Sequence, residues 1–137
     1  MKVYIDTSVV LRVLFAEPTA LSSWGEWEEA FSSRLWHTEA LRVLERVRME
    51  GRCESTQFVC LRKNIEVIND HFAIVPLSEA ILARAGESFP TMIGTLDAIH
   101  LASALYVRDS AGLDAFLTHD KQLGMAASAM GFHVIGL

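Results

Sequence analysis

The sequence predicts an α/β fold, a three-layer α/β/α sandwich in which helices cover both faces of a short central parallel sheet of four to five strands. Short apolar runs alternate along the chain with segments of helical periodicity, which is the order typical of βαβ proteins. The runs are apolar throughout, as expected for strands that are buried on both faces. A length of 137 residues, of which 51% are hydrophobic, suits one domain over 1–137 whose core needs no disulfide or metal.

The chain opens with a strand that leads into a helix. Val3–Ile5 is the apolar run, Asp6-Thr7-Ser8 provides residues that start helices, and Val9–Phe15 continues the helical pattern. Pro18 suits the first turn of a second helix, which we expect to reach Phe31. Its apolar residues recur at three- and four-residue spacing: Leu21, Trp24, Trp27 and Phe31.

The next elements are a very short strand and a third helix. Ser33–Trp36 is the expected strand, and Thr38 is a plausible cap for a helix over Glu39–Glu50, with Gly51 as its stop. The rest of the chain repeats the alternation. It predicts a helix from Ser55 or Thr56 to about Asp70, a strand at Ala73–Val75, a helix over Glu79–Ser88 capped by Ser78, a helix over Thr95–Val107, a strand at Ala115–Leu117, a helix over Lys121–Met130 and a strand at Phe132–Ile135.

Composition and charge exclude several classes of protein. Seventeen acidic residues against 12 Lys and Arg give a net charge of −5, whereas a protein that coats DNA regardless of sequence is basic. The longest nearly apolar run, Ala98–Val107, is about half the length of a membrane-spanning helix, and Asp6 and Arg12 interrupt the N-terminal apolar stretch that an export signal would need. Cys53 and Cys60 match no zinc or redox spacing, so we expect reduced thiols in a cytoplasmic protein.

Four acidic residues stand where a parallel sheet forms its ligand site. Asp6 follows the first strand and Asp120 follows the strand at 115–117, while Glu39 and Asp97 lie in the first turns of predicted helices. Ligands of open α/β sheets bind beyond the carboxyl ends of the strands, so we expect the four carboxylates to meet at one edge of the sheet. The alternative is that Asp6 and Asp120 only cap helices and that Glu39 and Asp97 only complement helix dipoles.

A cluster of carboxylates restricts the chemistry of such a site. Its members repel one another unless some take up protons or share a cation. No Lys or Arg adjoins all four acids in sequence, and there is no His–Cys ligand set. All-oxygen ligation suits Mg²⁺ or Mn²⁺, and such an ion can activate a water, orient a phosphate and offset the charge that develops on phosphorus. A cation would also let an acidic pocket admit a polyanion.

Four segments resemble the successive motifs of PIN domains. They are Tyr4–Arg12, Glu39–Arg42 (an acid followed three residues later by Arg), Thr95–Ala104 and Phe116–Asp120. The resemblance spans essentially the whole chain, and the length and motif order fit the VapC-type toxins of bacterial type II toxin–antitoxin pairs.

The resemblance implies a Mg²⁺- or Mn²⁺-dependent endoribonuclease, a toxin that a VapB-type antitoxin neutralises and that commonly forms a homodimer. Asp6, Glu39, Asp97 and Asp120 would surround the ion, with Asp6 and Asp97 as the principal ligands. The hydroxyls expected to bond these carboxylates, a water or a substrate phosphate are those of Thr7, Ser8 and Thr118. Water activated by the ion would attack in line and leave 5′-phosphate and 3′-hydroxyl ends. Single-stranded or looped RNA fits an open groove better than a rigid duplex does.

Basic and aromatic residues near these motifs have two interpretations each. Arg12, Arg42 and Arg46 are expected to grip the RNA backbone, Arg42 and Arg46 from one helix face. The alternative for these two is a solvated surface on which they pair with nearby acids. By the same resemblance, the aromatic stripe of 21–31 would contact the antitoxin, and core packing is the alternative. His100 is expected to pack within its helix, and His119 to face solvent.

Two other functions fit parts of the pattern. Aspartyl-phosphate chemistry also places an Asp at the end of the first strand. Haloacid-dehalogenase-like phosphatases have a further Asp two residues later, however, where this chain has Ser8, and receiver domains need an acidic pair that the short N-terminus lacks. The other alternative is a catalytically inert PIN-like module that binds RNA or a protein partner. Mn²⁺ binding and RNA cleavage discriminate this module from a nuclease.

Overall fold

Five parallel strands form a central sheet in the order β3-β2-β1-β4-β5. The computed structural model describes all of residues 1–137. Its strands are β1 (Lys2–Ile5), β2 (Glu29–Ser33), β3 (Ala73–Val75), β4 (Ala115–Leu117) and β5 (Val134–Ile135). In the register of the central strand, Tyr4 pairs with Phe31 of β2 and Ile5 pairs with Leu117 of β4. Because every strand runs the same way, all the carboxyl ends lie along one edge of the sheet.

Six helices cover the two faces of the sheet. They are α1 (Thr7–Leu14), α2 (Leu35–Met49), α3 (Ser55–His71), α4 (Glu79–Ala85), α5 (Thr95–Ser110) and α6 (Lys121–Ala129). Side chains alternate along a strand, so Val3 and Ile5 pack in one core cluster with α1, α2 and α3, whereas Tyr4 packs in another with α5 and α6. The three-layer sandwich predicted from the sequence is confirmed.

Helix α5 is the most deeply embedded helix and carries a sequence motif to the edge of the sheet. Nine of its 16 residues are buried, from Ala98 to Val107, and it packs against α4, α6 and β2. Its first turn, at Thr95, begins next to the carboxyl ends of the strands. Neither this helix nor any other in the structure combines the length and the apolar character needed to cross a membrane.

The helix predicted over 18–31 is wrong. Residues 16–28 form turns, and Glu29–Ser33 is strand β2, in which Phe31 pairs with both β1 and β3. Trp24 and Trp27 pack edge to face, 5.1 Å between ring centroids, on the core cluster beneath α1 and α2. Phe31 packs against the clusters on the opposite face. The helical spacing of these rings therefore reflects core packing from two sides of a sheet.

The start of α2 also differs from the prediction. The helix begins at Leu35, so 33–36 is not a strand of its own and Thr38 is not the cap. Strand β2 ends at Ser33, whose hydroxyl accepts a hydrogen bond from the amide of Leu35 at 3.1 Å. This bond satisfies one of the free amides at the helix start, and it places Glu39 in the second turn instead of the first. Farther along the chain, helix α4 ends at Ala85, three residues before the predicted end at Ser88.

Candidate active site at the carboxyl edge of the sheet

Asp6 lies directly beyond the central strand and is held in a single orientation. Its amide donates to the Leu117 carbonyl at 2.9 Å, which extends the pairing of β1 with β4 by one residue. Its side chain is buried and caps α1. The hydroxyls of Ser8 and Thr118 both donate to Asp6 Oδ2, at 2.6 and 2.9 Å. Oδ2 is therefore occupied, and Oδ1 accepts no hydrogen bond.

Asp120 joins the same edge through Thr118. The Thr118 hydroxyl, which donates to Asp6, accepts a hydrogen bond from the Asp120 amide at 3.0 Å. Asp120 Oδ1 accepts from the amide of Leu123 at 2.9 Å and so caps α6. The capping role that stood as an alternative for Asp6 and Asp120 is thus present in both residues. It coexists with their position in the acidic cluster.

Glu39 reaches the edge from the opposite side, on the second turn of α2. Its Oε1 accepts a hydrogen bond from the Thr7 hydroxyl at 2.7 Å and lies 2.7 Å from His100 Nε2. Burial raises the pKa of Glu39, but the hydrogen bond and charge of His100 together with the Thr7 hydroxyl outweigh burial and lower the pKa below its ordinary value. Its other oxygen, Oε2, has no hydrogen-bond partner.

Asp97 is the acid of the cluster whose pKa is raised, in part by repulsion from the other acids. It lies in the first turn of α5, as predicted, and its carboxylate makes no hydrogen bond within the protein. Burial and the charges of Asp120 and Asp6 raise its pKa from 3.8 to about 6; Glu39 adds to the effect and His100 opposes it. The structure therefore brings Asp6, Glu39, Asp97 and Asp120 within electrostatic range of one another, although they come from four separate parts of the chain.

His100 is the residue at this site that the sequence reasoning missed. It is buried, as expected, with 1% of its surface exposed, but its ring faces the acids. Nε2 contacts Glu39 and lies 3.1 Å from the Thr7 hydroxyl and 3.7 Å from Asp6 Oδ1. The available signal was its position three residues after Asp97, which puts both side chains on one face of the helix.

His119 does not face solvent as predicted. Nδ1 lies 2.7 Å from the Gly136 carbonyl, and Nε2 is buried without a hydrogen-bond partner. Its backbone amide donates to the Ser8 hydroxyl at 3.0 Å. His119 thus ties the end of β5 to the edge of the sheet where Asp6 and Thr118 lie.

Comparisons with known proteins place this arrangement in a family. A family model described as PIN domain matches residues 3–127. The chain belongs to the PIN-domain family. Ribonuclease VapC47 of Mycobacterium tuberculosis is similar to this PIN domain, 32% identical over 137 residues that cover 95% of this chain and 93% of the relative. Ribonuclease VapC46 of the same species is 29% identical over 140 residues, which cover 97% and 95% of the two chains.

Solved structures share the fold of this PIN domain at much lower identity. A toxin–antitoxin complex from Klebsiella pneumoniae gives a TM-score of 0.66 at 16% identity, covering 97% of this chain and 95% of that one. VapC20 of Mycobacterium tuberculosis, described as a Sarcin-Ricin loop cleaving toxin, gives 0.65 at 18% identity and covers 95% of each chain. The recognition of PIN motifs in the sequence is therefore confirmed, and so is the predicted fold.

The chemistry of the free oxygens in this PIN domain fits a hard divalent cation. One oxygen each of Asp6, Glu39 and Asp120 and both oxygens of Asp97 accept no hydrogen bond from the protein, and Mg²⁺ or Mn²⁺ prefers such ligands. No Lys or Arg forms an ion pair with any of the four. No group of three or more His, Cys, Asp or Glu side chains has the arrangement of a metal site, so the carboxylates adjoin one another without forming a coordination geometry.

The basic residues singled out in the sequence are placed differently from one another. Arg12 is partly buried, 3.8 Å from Glu17 and 3.3 Å from the Thr19 carbonyl. Arg42 and Arg46 are exposed on α2 and form no ion pair. The neighbouring acids pair with other arginines: Glu45 with Arg48, and Glu50 with Arg52. The ion pairs that stood as the alternative for Arg42 and Arg46 are not formed.

Proposed function

We propose that this PIN domain is an endoribonuclease that depends on Mg²⁺ or Mn²⁺. One observation carries the proposal: four carboxylates gather at one sheet edge, where burial and the charges of the other acids raise the pKa of Asp97 to about 6, and the only basic side chain in contact with the four is His100. Such a site repels an RNA phosphate unless a cation is shared between the acids and the substrate. The ribonuclease names of the VapC relatives support the same conclusion.

The residues of this chain would have two roles in cleavage: the acids would bind the cation, and the hydroxyls would orient the acids. A bound divalent cation supplies charge neutralisation and acidifies a water for in-line attack on the phosphodiester. Asp6 and Asp97 would be its principal ligands, with Glu39 and Asp120 completing the set. Ser8 and Thr118 fix Asp6 through Oδ2, so that Oδ1 is the oxygen that remains to face the cation. Thr7 likewise holds Glu39 through Oε1, so that Oε2 is the oxygen of Glu39 that remains free.

Hydrolysis by water accounts better for this site than attack by the ribose 2′-hydroxyl. The second route needs a general base within reach of that hydroxyl, and His100 is buried with Nε2 engaged by Glu39. Hydrolysis leaves 5′-phosphate and 3′-hydroxyl ends. Arg42 and Arg46, exposed on α2 without ion-pair partners, would contact the backbone of single-stranded or looped RNA on the way to the acids.

We also propose that this protein is the toxin of a toxin–antitoxin pair. Its curated relatives are VapC proteins, and structures of the same fold include a toxin–antitoxin complex and a VapBC pair from Rickettsia felis. The expected partner is a VapB-type antitoxin, with a second copy of the chain forming a homodimer. We expect such a toxin to act in the cytoplasm, on the RNA of its own cell.

Cleavage by purified variants tests the proposal. Wild type and Asp6→Asn would be incubated with total RNA in Mg²⁺, Mn²⁺ or EDTA, followed by sequencing of RNA ends. Asp70→Asn, which changes an exposed acid at the end of α3, is the matched control. We expect 5′-phosphate ends with wild type and Asp70→Asn in either metal, and none in EDTA or with Asp6→Asn. Undiminished cleavage in EDTA would overturn the metal dependence, and intact RNA with wild type in both metals would favour the inert module.

A further inference from the structure

We propose that His100, held in place by the Tyr4 hydroxyl, is a positioning residue that fixes the Glu39 carboxylate at the acidic cluster. This inference rests on the proposed function of the cluster and adds to it a residue outside the acids and hydroxyls. Tyr4 is the third residue of the central strand β1 and packs on the face of the sheet that α5 covers. His100 lies one turn along α5 from Asp97.

The two side chains form a polar pair inside an apolar core. Tyr4 is fully buried and His100 is 1% exposed, and the Tyr4 hydroxyl lies 2.8 Å from His100 Nδ1. The Tyr4 ring stacks on Phe116 at 5.2 Å between centroids, which leaves its hydroxyl little freedom. Burying a hydroxyl and an imidazole costs free energy that an apolar pair would avoid, so a function for the pair explains its presence better than packing does.

The chemistry of the contacts determines which ring nitrogen carries hydrogen. A carboxylate only accepts hydrogen bonds, so Nε2 must carry the hydrogen that lies between it and Glu39 Oε1 at 2.7 Å. Thr7 uses its own hydrogen on the same oxygen. At Nδ1, the phenol of Tyr4 can donate to a neutral ring or accept from a charged one. Nε2 carries hydrogen in both cases, so the contact with Glu39 persists whichever form the ring takes.

The contact between His100 and Glu39 links the two helical layers beyond the end of the sheet. Glu39 belongs to α2, on the face covered by α1–α3, whereas His100 belongs to α5, on the other face. A Glu side chain has three rotatable bonds, and on a helix surface it would sample many positions. Hydrogen bonds from His100 and Thr7 to Oε1 leave Oε2 as the oxygen that can face Asp97 and Asp6. The alignment of Glu39 thus depends on a residue from the opposite layer.

Variants at these positions separate positioning from packing. His100→Leu removes the donor, whereas His100→Gln keeps an N–H near the position of Nε2. With a single-stranded RNA that wild type cleaves, we expect His100→Leu to lower kcat about 100-fold with little change in KM, and His100→Gln to recover at least about 10-fold of that loss. Tyr4→Phe should lower kcat about 10-fold by the same principle. His71→Leu, at an exposed histidine on α3, is the matched control and should retain wild-type kcat.

A double-mutant comparison tests whether His100 acts through Glu39. If it does, adding His100→Leu to Glu39→Gln should change kcat far less than His100→Leu does alone. Full additivity of the two losses would overturn the positioning role. Equal losses for His100→Gln and His100→Leu, with both proteins folded by thermal melting, would overturn it as well.

Two measurements test the positioning role of His100 without relying on RNA cleavage. In ¹⁵N correlation spectra of the histidine rings, we expect His100 of wild type to show a low-field proton on Nε2, which Glu39→Gln moves upfield. A ring protonated only at Nδ1, or a resonance that Glu39→Gln leaves unchanged, would refute the contact. In calorimetry with Mn²⁺ alone, His100→Leu should weaken affinity by about 10-fold or more. A wild type that cleaves no RNA but gives the expected spectra would reject the proposed function and retain the His100–Glu39 arrangement.

Discussion

The Thr118 hydroxyl donates to Asp6 Oδ2 at 2.9 Å, although 112 positions separate the two residues in the chain. Strand pairing accounts for this contact. Ile5 is in register with Leu117, so the first residue beyond β1 and the first beyond β4 emerge side by side. Thr118 is fully buried, and its oxygen accepts the Asp120 amide while its hydrogen is used on Asp6. One hydroxyl therefore joins two acids of the candidate site.

Thr118→Val tests this link with almost no change in shape. The variant leaves the buried Asp6 carboxylate with one donor fewer and the Asp120 amide without its acceptor, and the first loss costs the more free energy because Asp6 is shielded from water. We expect the free energy of unfolding to fall by roughly 2 kcal/mol, and RNA cleavage to fall about 10-fold or more through misorientation of Asp6. Urea denaturation and cleavage kinetics measure the two effects.

Thr91→Val is the matched control for that substitution. The Thr91 hydroxyl is also buried but has no hydrogen-bond partner, so its removal should leave stability unchanged or slightly increased. If both variants had the same stability and cleavage rate as wild type, the hydrogen bonds of Thr118 would be of no consequence.

Asp97→Asn should stabilise the protein at pH 7 while abolishing cleavage. Burial and the neighbouring acids raise the pKa of Asp97 to about 6, which means that the folded state disfavours the charged carboxylate. Asparagine removes this penalty. A shift of this size corresponds to at most about 3 kcal/mol, and because the carboxylate is partly exposed we expect a gain of about 1 kcal/mol. Denaturation in EDTA measures the gain.

The pH dependence of stability in wild type and Asp97→Asn tests whether the charged Asp97 carboxylate destabilises the folded state. Between about pH 4 and pH 6 the folded state binds more protons than the unfolded state, so the Asp97 contribution to stability declines as pH rises through this window. The two proteins should thus agree below about pH 4 and diverge until about pH 6. A wild type more stable than Asp97→Asn at pH 7 without metal would contradict the repulsion inferred for the cluster.

Arg42→Ala and Arg46→Ala should weaken RNA binding without affecting the chemical step. Both side chains are exposed and unpaired on the helix that carries Glu39, so they are available to phosphates. In the inactive Asp6→Asn background, each variant should lower affinity for single-stranded RNA and reduce the salt dependence by about 0.7 of a log unit per log of salt. Arg52→Ala, which breaks an exposed ion pair with Glu50, is the control. Identical affinities for all three variants would remove Arg42 and Arg46 from the RNA path.

The sequence was informative wherever a site residue adjoins a locally recognisable element. Asp6 and Asp120 follow short apolar runs, and Asp97 follows a helix-starting threonine, so strand ends and helix starts could be located within a few residues. The parallel sheet then implied that these positions share one edge. Glu39 was found in the same way, after a plausible helix cap at Thr38, although the helix begins four residues earlier than predicted, at Leu35.

Non-local contacts produced the errors. Strand β2 exists because Phe31 pairs with Tyr4 and with Ala73, and no local pattern reveals those partners. Helical periodicity predicted that His100 is buried, but not that its ring meets Tyr4 from the central strand and Glu39 from the opposite layer. The inward orientation of the partly buried His119 ring likewise depends on Gly136, which lies 17 residues away.

Gly136→Ala should disturb the active-site edge from the far end of the chain. Gly136 has φ of +111°, a region that L side chains rarely adopt, and a Cβ there would lie 2.6 Å from the Thr118 carbonyl oxygen. Gly112→Ala isolates the backbone strain from the clash, because Gly112 has φ of +81° but a Cβ there would meet no atom within 4 Å. We expect Gly112→Ala to cost about 1 kcal/mol of stability through backbone strain alone. Gly136→Ala should cost about 1–3 kcal/mol more, because the clash is with backbone that cannot rotate away. It should also lower RNA cleavage, since relief of the clash moves Thr118 and with it Asp6, whereas Gly112→Ala should cleave like wild type. Equal stability and equal cleavage in the two variants would show that the end of β5 does not support the acidic site.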